Sequence, residues 1–138
     1  MPYPIEGGCL CGKIRYRLAA PPTAVMHCHC DNCRKASGAV MLTWMTVREA
    51  DLTWLQGEPR RYRYASPHYE PEIERRFCGD CGGQLLWHGR DGGTVDLTAG
   101  SLDDPRILEP SYHVFTRRAA PWLHMEDGLP RHATRRDE

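Results

Sequence analysis

The chain has 138 residues, and its 18 Lys and Arg residues balance its 18 Asp and Glu residues, so the formal net charge is zero. This balance argues against general binding of nucleic acids, which requires a basic surface. No apolar run reaches the roughly 18 residues of a membrane span, and no secretory signal is evident. We therefore expect a single cytoplasmic domain over residues 1–138, with a frayed polar end at 131–138.

Short runs of β character dominate the chain in sequence order. Alternating polar and apolar residues over Lys13–Leu18 predict a half-buried strand, and the apolar run Ala39–Val47 predicts a central one. Further strands are predicted at Asp51–Leu55, Arg61–Ala65, Ile73–Phe77, Gln84–His88, Thr94–Thr98 and Tyr112–Phe115.

Helical signals are few. Asp31–Ala36 predicts a helix of one or two turns with Asp31 as its N-cap, and Leu102–Pro105 predicts a turn or a short helix start. Two prolines predict an exposed loop at Ser66–Glu72, and Asp91–Gly93 has the composition of a turn between strands. The whole pattern predicts a mainly antiparallel β protein with short helices.

Seven cysteines form three closely spaced groups, which are Cys9 and Cys11, then Cys28, Cys30 and Cys33, then Cys78 and Cys81. Such spacing suits thiolates that converge on a metal, and reducing conditions in the cytoplasm keep thiols free. Four thiolates close a structural zinc site, whereas three leave one coordination position open for chemistry. The odd number of cysteines therefore favours an enzyme over a plain zinc-binding scaffold.

Two of the groups suit a structural site. Glycines flank Cys9 and Cys11 as well as Cys78 and Cys81, and they allow the backbone to turn so sharply that both sulfurs of a pair reach one point. Together the four thiolates predict a tetrahedral zinc that ties the first strand to the second half of the chain. Closing a loop of roughly 65 residues in this way removes much entropy from the unfolded chain.

The middle group suits an open site. Cys28, Cys30 and Cys33 lie within six residues, which favours three thiolates around one zinc with a position left for a substrate atom. An alternative is that His27, His29 or a distant histidine completes a second structural site. His29 alternates with its two cysteine neighbours, which favours a side chain that points away from the metal.

A different grouping is also open. Cys30 and Cys33 could join Cys78 and Cys81 in a zinc ribbon, although this grouping leaves three cysteines unused. Two zinc ions are expected, and the occupancy of the second is left open, because three-ligand zinc sites are often part-occupied and prone to oxidation.

Charge favours thiol chemistry at the three-cysteine group. Zinc with three thiolates has a formal net charge of −1, so it is a weak Lewis acid and suits a soft sulfur ligand such as the thiol of glutathione. Arg34 and Lys35 are the nearest cations that would offset an anion. His113 is a candidate for moving protons or binding substrate, and Trp44 and Trp122 are candidates for pocket walls.

The cysteine motifs and their surroundings resemble the glutathione-dependent formaldehyde-activating (GFA) family, which also includes centromere protein V. The resemblance covers roughly residues 5–130 and is carried by the segments Gly7–Gly12, Cys28–Gly38, Phe77–Gly82, Ala99–Pro105, His113–Phe115 and Pro121–Trp122. Two features depart from the family pattern and affect its expected substrate range: Gly83 replaces a small hydroxyl residue, and the Ser66–Glu72 loop is extended.

The resemblance implies a β-tent fold, in which small sheets surround zinc. It also implies a structural zinc at Cys9, Cys11, Cys78 and Cys81, and a catalytic zinc at Cys28, Cys30 and Cys33. The activity that it implies is addition of glutathione to formaldehyde, which gives S-hydroxymethylglutathione and is formally a carbon–sulfur lyase reaction run in reverse.

We accordingly expect a zinc-dependent carbon–sulfur lyase that acts on a glutathione-like thiol and a small aldehyde. Two alternatives remain open at this point. One is a non-catalytic zinc module that binds protein or nucleic acid, and the other is a sensor of thiol redox state or zinc.

Overall fold

A computed structural model of the protein describes residues 3–66, 70–89 and 92–136. Its strands are β1 (Ile5–Gly8), β2 (Arg15–Leu18), β3 (Ala24–Cys28), β4 (Leu42–Arg48), β5 (Leu52–Gln56), β6 (Arg60–Ser66), β7 (Glu70–Phe77), β8 (Gln84–His88), β9 (Thr94–Thr98) and β10 (Tyr112–Val114). The helix α1 spans Asp31–Ser37, and single 3-10 turns lie at Glu49–Asp51, Ala99–Ser101, Pro105–Ile107 and Thr116–Arg118.

The strands form two sheets. One has the order β1-β2-β5, and the other has the order β10-β3-β4-β9-β8-β7-β6. Neighbouring strands pair antiparallel, except that β10 runs parallel to β3. The prediction of a mainly β fold with antiparallel sheets and short helices is therefore confirmed, and the parallel pair is the exception to it.

Two hydrophobic clusters fill the interior. The larger includes Tyr16, Leu18, Met45 and Leu97, and Cys78 belongs to it while Cys9 and Cys81 pack against it. The smaller consists of Met26, Cys28, Cys30, Cys33, Trp44, Tyr112 and Val114. Each predicted cysteine site thus lies against its own part of the core.

The N-cap of the helix lies one residue earlier than predicted. Cys30, rather than Asp31, is the N-cap of α1, because its backbone is extended and its sulfur accepts the N–H of Cys33 at 3.3 Å. Asp31 is the first helical residue, and its carboxylate accepts hydrogen bonds from Arg34 and Arg118. A thiol group thus supplies the capping acceptor that the sequence assigns to a carboxylate.

Two predicted irregular segments are more ordered than expected. The predicted loop Ser66–Glu72 is shorter, because β6 extends to Ser66 and β7 begins at Glu70; residues 67–69 lie outside the described part, as does Asp91 of the predicted turn. Residues 131–134, which the sequence predicts to be frayed, run beside β10: the N–H of His132 donates to the carbonyl of His113, and the N–H of Phe115 donates to the carbonyl of Thr134.

Within the described ranges, no helix has both the length and the apolar character needed to cross a bilayer.

Candidate metal centres

The turns that follow β1 and β7 bring four cysteines together. One sulfur from each of Cys9, Cys11, Cys78 and Cys81 lies within 4.8 Å of the others. The sulfur of Cys11 is 3.6 Å from that of Cys9 and 3.7 Å from that of Cys78. Zn–S bonds of about 2.3 Å place the sulfurs of a tetrahedral site about 3.8 Å apart, so this donor set fits zinc.

Backbone N–H groups surround these sulfurs. Ile14 donates to the sulfur of Cys9 at 3.3 Å, and Asp80 and Cys81 both donate to the sulfur of Cys78 at 3.4 Å. Positive φ angles at Gly12 and Gly82 produce the turns that aim these donors.

The same environment affects a thiol of this cluster. The backbone N–H of Cys11 and then that of Gly83 lower the pKa of Cys81 to about 6. Cys81 is therefore held largely as the thiolate that a metal requires, before any ion is bound.

The end of β3 and the start of α1 bring the other three cysteines together. The sulfurs of Cys28, Cys30 and Cys33 lie within 4.8 Å of one another, and those of Cys28 and Cys33 are 3.5 Å apart. All three residues are buried. Within the described ranges, no fourth Cys, His, Asp or Glu ligand atom joins them at that distance. The geometry thus matches three donors and an open side, and metal binding by either cluster stays a prediction.

A cavity of about 220 Å³ opens beside the three cysteines. Its apolar walls are formed by Met26, Trp44, Ile73, Trp87, Val114 and Phe115. This volume is below the roughly 300–1,000 Å³ of drug-sized sites, so the cavity suits a small molecule or one end of a longer one.

Arg75 of β7 provides a positive charge beside the three cysteines, and the residue is buried, with only 4% of its surface exposed. Its Nη2 donates to the sulfur of Cys33 at 3.7 Å, and its Nε donates to the hydroxyl of Tyr64 at 2.8 Å. The guanidinium carbon lies 5.9 Å from the ring centroids of both Trp44 and Tyr64. Within the described ranges, its Nη1 is buried without a hydrogen-bond partner.

These contacts divide the protons unequally among the thiols. Hydrogen bonding with Cys28 and Cys30, and then the charge of Arg75, lower the pKa of Cys33. Interaction with Cys30 and Cys33, together with burial, raises the pKa of Cys28. Cys33 is therefore the sulfur that most readily carries negative charge, and Arg75 is its counter-ion.

Sequence analysis did not identify Arg75 as a site residue. Two consecutive arginines in a strand, Arg75 and Arg76, are expected to be exposed to solvent. The two alternate across β7: Arg75 faces the cavity, whereas Arg76 bonds to Glu74 at 2.8 Å. The strand period was the available signal, since it places Arg75 on the same face as the buried Ile73.

The predicted substrate-binding residues divide into two groups. Trp44 is 3% exposed and lines the three-cysteine cavity. Trp122 is 66% exposed and borders a shallow surface groove together with Arg34 and Lys35. Lys35 also borders a second cavity, of about 400 Å³, which Arg75 lines as well. Arg34 and Trp122 thus border a different groove from the cavity beside the three cysteines.

His113, the predicted proton carrier, is fully buried on the opposite face of the sheet. It pairs with His27 across the parallel strands β10 and β3, whereas Cys28 and its partner Val114 face the cavity. His29 also points away from the sulfurs, as its alternation with the cysteines predicts, and its Nε2 lies 2.8 Å from Nδ1 of His113. Burial, and then His113, lower the pKa of His29 to about 4, so it is neutral at neutral pH.

Comparison with known proteins gives a consistent result. Residues 4–118 match the family model described as glutathione-dependent formaldehyde-activating enzyme. A curated protein of Halomonas elongata is provisionally named a glutathione-dependent formaldehyde-activating enzyme. It is 26% identical to this chain over 132 residues, and the match covers 88% of this chain and 81% of that protein. A crystal structure of a Rhodobacter sphaeroides protein superposes with a TM-score of 0.59 at 21% identity over 77% of this chain and 97% of that chain, a likeness of fold alone.

Proposed function

Because the chain belongs to the glutathione-dependent formaldehyde-activating enzyme family, we propose that it joins a glutathione-like thiol to a small aldehyde such as formaldehyde. The reaction would be that of a carbon–sulfur lyase working in the direction of synthesis, at the cavity beside Cys28, Cys30 and Cys33. The observation that carries this proposal is the open side of the cluster: three buried thiols face a cavity, and no fourth ligand among the described residues covers them.

The donor chemistry suits zinc at both clusters. Cys28, Cys30 and Cys33 would hold the ion used in the reaction, and the four-cysteine cluster would hold a structural one. Zinc with three thiolates supplies a soft Lewis acid that accepts one further sulfur ligand.

Arg75 would balance charge in the buried site. Three thiolates, a divalent cation and one guanidinium sum to zero, so the site can be buried without an uncompensated charge. Arg34 and Lys35, to which the sequence assigns this role, border the surface groove, and Lys35 also borders the second cavity that Arg75 lines. Arg75 also fixes the position of Cys33 through its hydrogen bond to the sulfur.

The apolar walls would limit water at the reacting atoms. Trp44, Ile73, Trp87 and Phe115 form apolar walls of the cavity, and the charged residues Arg75, Asp96 and Arg135 line the rest of it. A dry site also strengthens each electrostatic contact within it. The small volume favours a one-carbon or two-carbon aldehyde over a larger one.

The chemistry balances without an oxidant or a reductant. The sulfur of the thiol attacks the carbonyl carbon and forms a C–S bond, while the carbonyl π electrons move onto oxygen. The oxygen takes up one proton in place of the proton lost by the thiol, so the product is a hydroxymethyl thioether. The residues that hold the two reactants side by side contribute through proximity.

The test compares zinc-loaded protein with the variant Cys30→Ser. Serine keeps an oxygen that can cap α1 but removes a thiolate, so the fold should persist while the reaction stops. Formation of the glutathione–formaldehyde adduct can be followed by NMR exchange measurements at equilibrium. We expect acceleration by the wild type and the uncatalysed rate with Cys30→Ser.

Trp122→Ala provides the matched control, because this exposed tryptophan borders the other groove. It should react at the wild-type rate. The proposal would be wrong if folded, zinc-loaded wild type gave no acceleration with glutathione or other small thiols, or if Cys30→Ser remained fully active.

A further inference from the structure

A third group of metal-binding side chains lies on the opposite face of the sheet from the three cysteines. It consists of His27 of β3, His113 of β10 and Asp127 of the segment that follows. The parallel register places His27 beside His113, and their ring centroids are 4.9 Å apart. The N–H of His113 also donates to the carbonyl of Pro130, which holds the segment containing Asp127 beside β10.

The ligand atoms of this group converge. One ring nitrogen from each histidine and one carboxylate oxygen all lie within 4.8 Å of one another. Nε2 of His113 is 2.8 Å from Oδ2 of Asp127. Since donors around a small divalent ion lie about 3 Å apart, modest movement of the side chains would close them around an ion.

The other nitrogen of each histidine is already engaged. Nδ1 of His27 is 2.8 Å from the hydroxyl of Thr43, and Nδ1 of His113 is 2.8 Å from Nε2 of His29. Metal-bound imidazoles are typically oriented by such a bond at the nitrogen that does not bind the ion. Oδ1 of Asp127 likewise accepts the N–H of Leu129 at 3.1 Å, which leaves Oδ2 for the centre of the group.

We propose that His27, His113 and Asp127 form a third metal site, which binds a divalent first-row transition ion through two imidazoles and one carboxylate. This donor set is harder than the thiolates of the cysteine clusters, and it suits Zn²⁺, Co²⁺, Ni²⁺ or Fe²⁺. Three protein ligands leave positions for water or for a small ligand. The site is separate from the proposed thiol–aldehyde chemistry and does not depend on it.

The surroundings give the ion access from one side. His113 is fully buried, but the side chain of Asp127 is 30% exposed, so an ion would enter past the carboxylate. Once bound, it would tie the segment around residue 127 to β3, the strand that ends at Cys28. The face that holds the imidazoles would then support the position of the thiols on the other face.

The experiment first adds two equivalents of Zn²⁺ per chain, which the softer thiolates of the two cysteine clusters take in preference to imidazole and carboxylate. The 138-residue chain is then titrated with Co²⁺. Cobalt bound to thiolate shows intense sulfur-to-metal charge-transfer absorption, whereas cobalt bound to imidazole and carboxylate shows only weak visible bands. We expect uptake of one Co²⁺ per chain without charge-transfer absorption. Paramagnetically shifted ring-proton signals of His27 and His113 should appear in the NMR spectrum.

Asp127→Asn removes the anionic ligand, and it should lose this equivalent or bind it at least about 10-fold more weakly. The matched control is Asp104→Asn, which neutralises an exposed carboxylate paired with Arg106 and should bind like the wild type. His27→Gln provides a second variant that retains a hydrogen-bonding group near Thr43, and it decides the question if Asp127→Asn does not fold.

Two results would overturn the site. One is that wild type takes up no Co²⁺ beyond the amount that produces charge-transfer absorption. The other is that folded Asp127→Asn and His27→Gln bind Co²⁺ as tightly as the wild type. Either result would leave the three side chains as a hydrogen-bonded chain only.

Discussion

The two cysteine clusters consist of the same side chain, but they differ in the chain separation of their members and in their exposure to solvent. The four-cysteine cluster draws its members from two turns more than sixty residues apart, and one of them, Cys11, is exposed. The three-cysteine cluster draws its members from six consecutive residues, all buried, beside a cavity and a guanidinium. Ligands from two sides enclose an ion, whereas ligands from one short segment cover one side of it.

The difference in chain separation between the members of each cluster predicts different roles for the two clusters. A link between distant segments restricts the unfolded chain strongly and therefore stabilises the fold. A link within one short segment restricts it little, so its members can serve chemistry instead. We expect loss of the first cluster to affect folding, and loss of the second to affect reaction and zinc content.

The largest effect is expected for Cys78→Ala, compared with Cys33→Ala. Structural zinc in small peptides contributes about 10–16 kcal/mol, which is comparable with the whole stability of a domain. Cys78→Ala should therefore lose its cooperative thermal transition, as measured by circular dichroism, together with its structural zinc. Cys33→Ala should keep a cooperative transition. Equal thermal stability of the two variants would contradict the contrast between the clusters.

Alkaline pH should test the core on the four-cysteine side. Burial raises the pKa of Tyr16 to about 12, above its usual value of 10.0. The unfolded chain therefore releases this proton at lower pH than the folded protein, so stability is full below pH 10 and falls as pH rises to about 12. Two pKa units correspond to about 3 kcal/mol.

Tyr16→Phe isolates this contribution, because it removes the ionising group but keeps the ring. The free energy of unfolding in urea should fall more steeply for wild type than for Tyr16→Phe between pH 10 and about 12. Parallel curves for the two proteins would show that Tyr16 ionises as readily in the folded state as in the unfolded one.

A smaller effect is expected for Arg75→Gln, and it should fall on the three-cysteine cluster alone. The variant loses the hydrogen bond to the sulfur of Cys33 and the charge that balances the thiolates. Removing such a supporting group typically weakens metal binding roughly 10- to 100-fold. Chelator competition should show this loss for one zinc per chain and leave the other unchanged.

The neighbouring Arg76→Gln is the matched control, because Arg76 bonds to Glu74 rather than to a cysteine. It should retain both zinc affinities. If Arg75→Gln and Arg76→Gln behaved alike, the buried guanidinium would have no special part in the cluster.

The smallest effect is expected for Gly7→Ala, two residues before Cys9. A Cβ at Gly7 would lie 2.5 Å from both the carbonyl oxygen of Ser101 and the hydroxyl of Tyr16. Because β1 pairs with β2 on one side and Gly7 bridges Leu102 on the other, the strand can relieve only part of this overlap, and we expect a loss of about 1–2 kcal/mol in urea unfolding. Gly100→Ala is the control, since a Cβ there meets nothing within 4 Å. Equal stability of both variants would show that β1 moves freely.

Local patterns predicted the strands whose own residues determine them. Gln84–His88 and Thr94–Thr98 were predicted with their observed bounds, because each has a clear apolar face. Strands β1 and β3 were missed for different reasons. Half of β1 is glycine, and β3 gives too short an apolar run before its histidine; both become strands through pairing with partners distant in sequence.

The candidate site shows the same limit. Cysteine spacing predicted which sulfurs lie together, because spacing is local information. The sequence did not separate Arg75 from Arg76. It predicted both Trp44 and Trp122 as pocket walls, whereas Trp44 lines the buried cavity and the exposed Trp122 borders the surface groove. The parallel pairing of β10 with β3 explains the position of His113, and no local pattern contains that pairing.

The alternation of side chains along β3 means that a change in the length of this strand would alter both faces of the sheet. Cys28 faces the cavity and His27 faces the other side of the sheet, so a soft donor and a hard donor are one peptide unit apart. Inserting or deleting a single residue ahead of them would exchange the two faces, because side chains in a strand alternate with a period of two. A substitution in β3 thus affects one face at a time, whereas a change in its length would move the thiol of Cys28 and the imidazole of His27 to the wrong faces together.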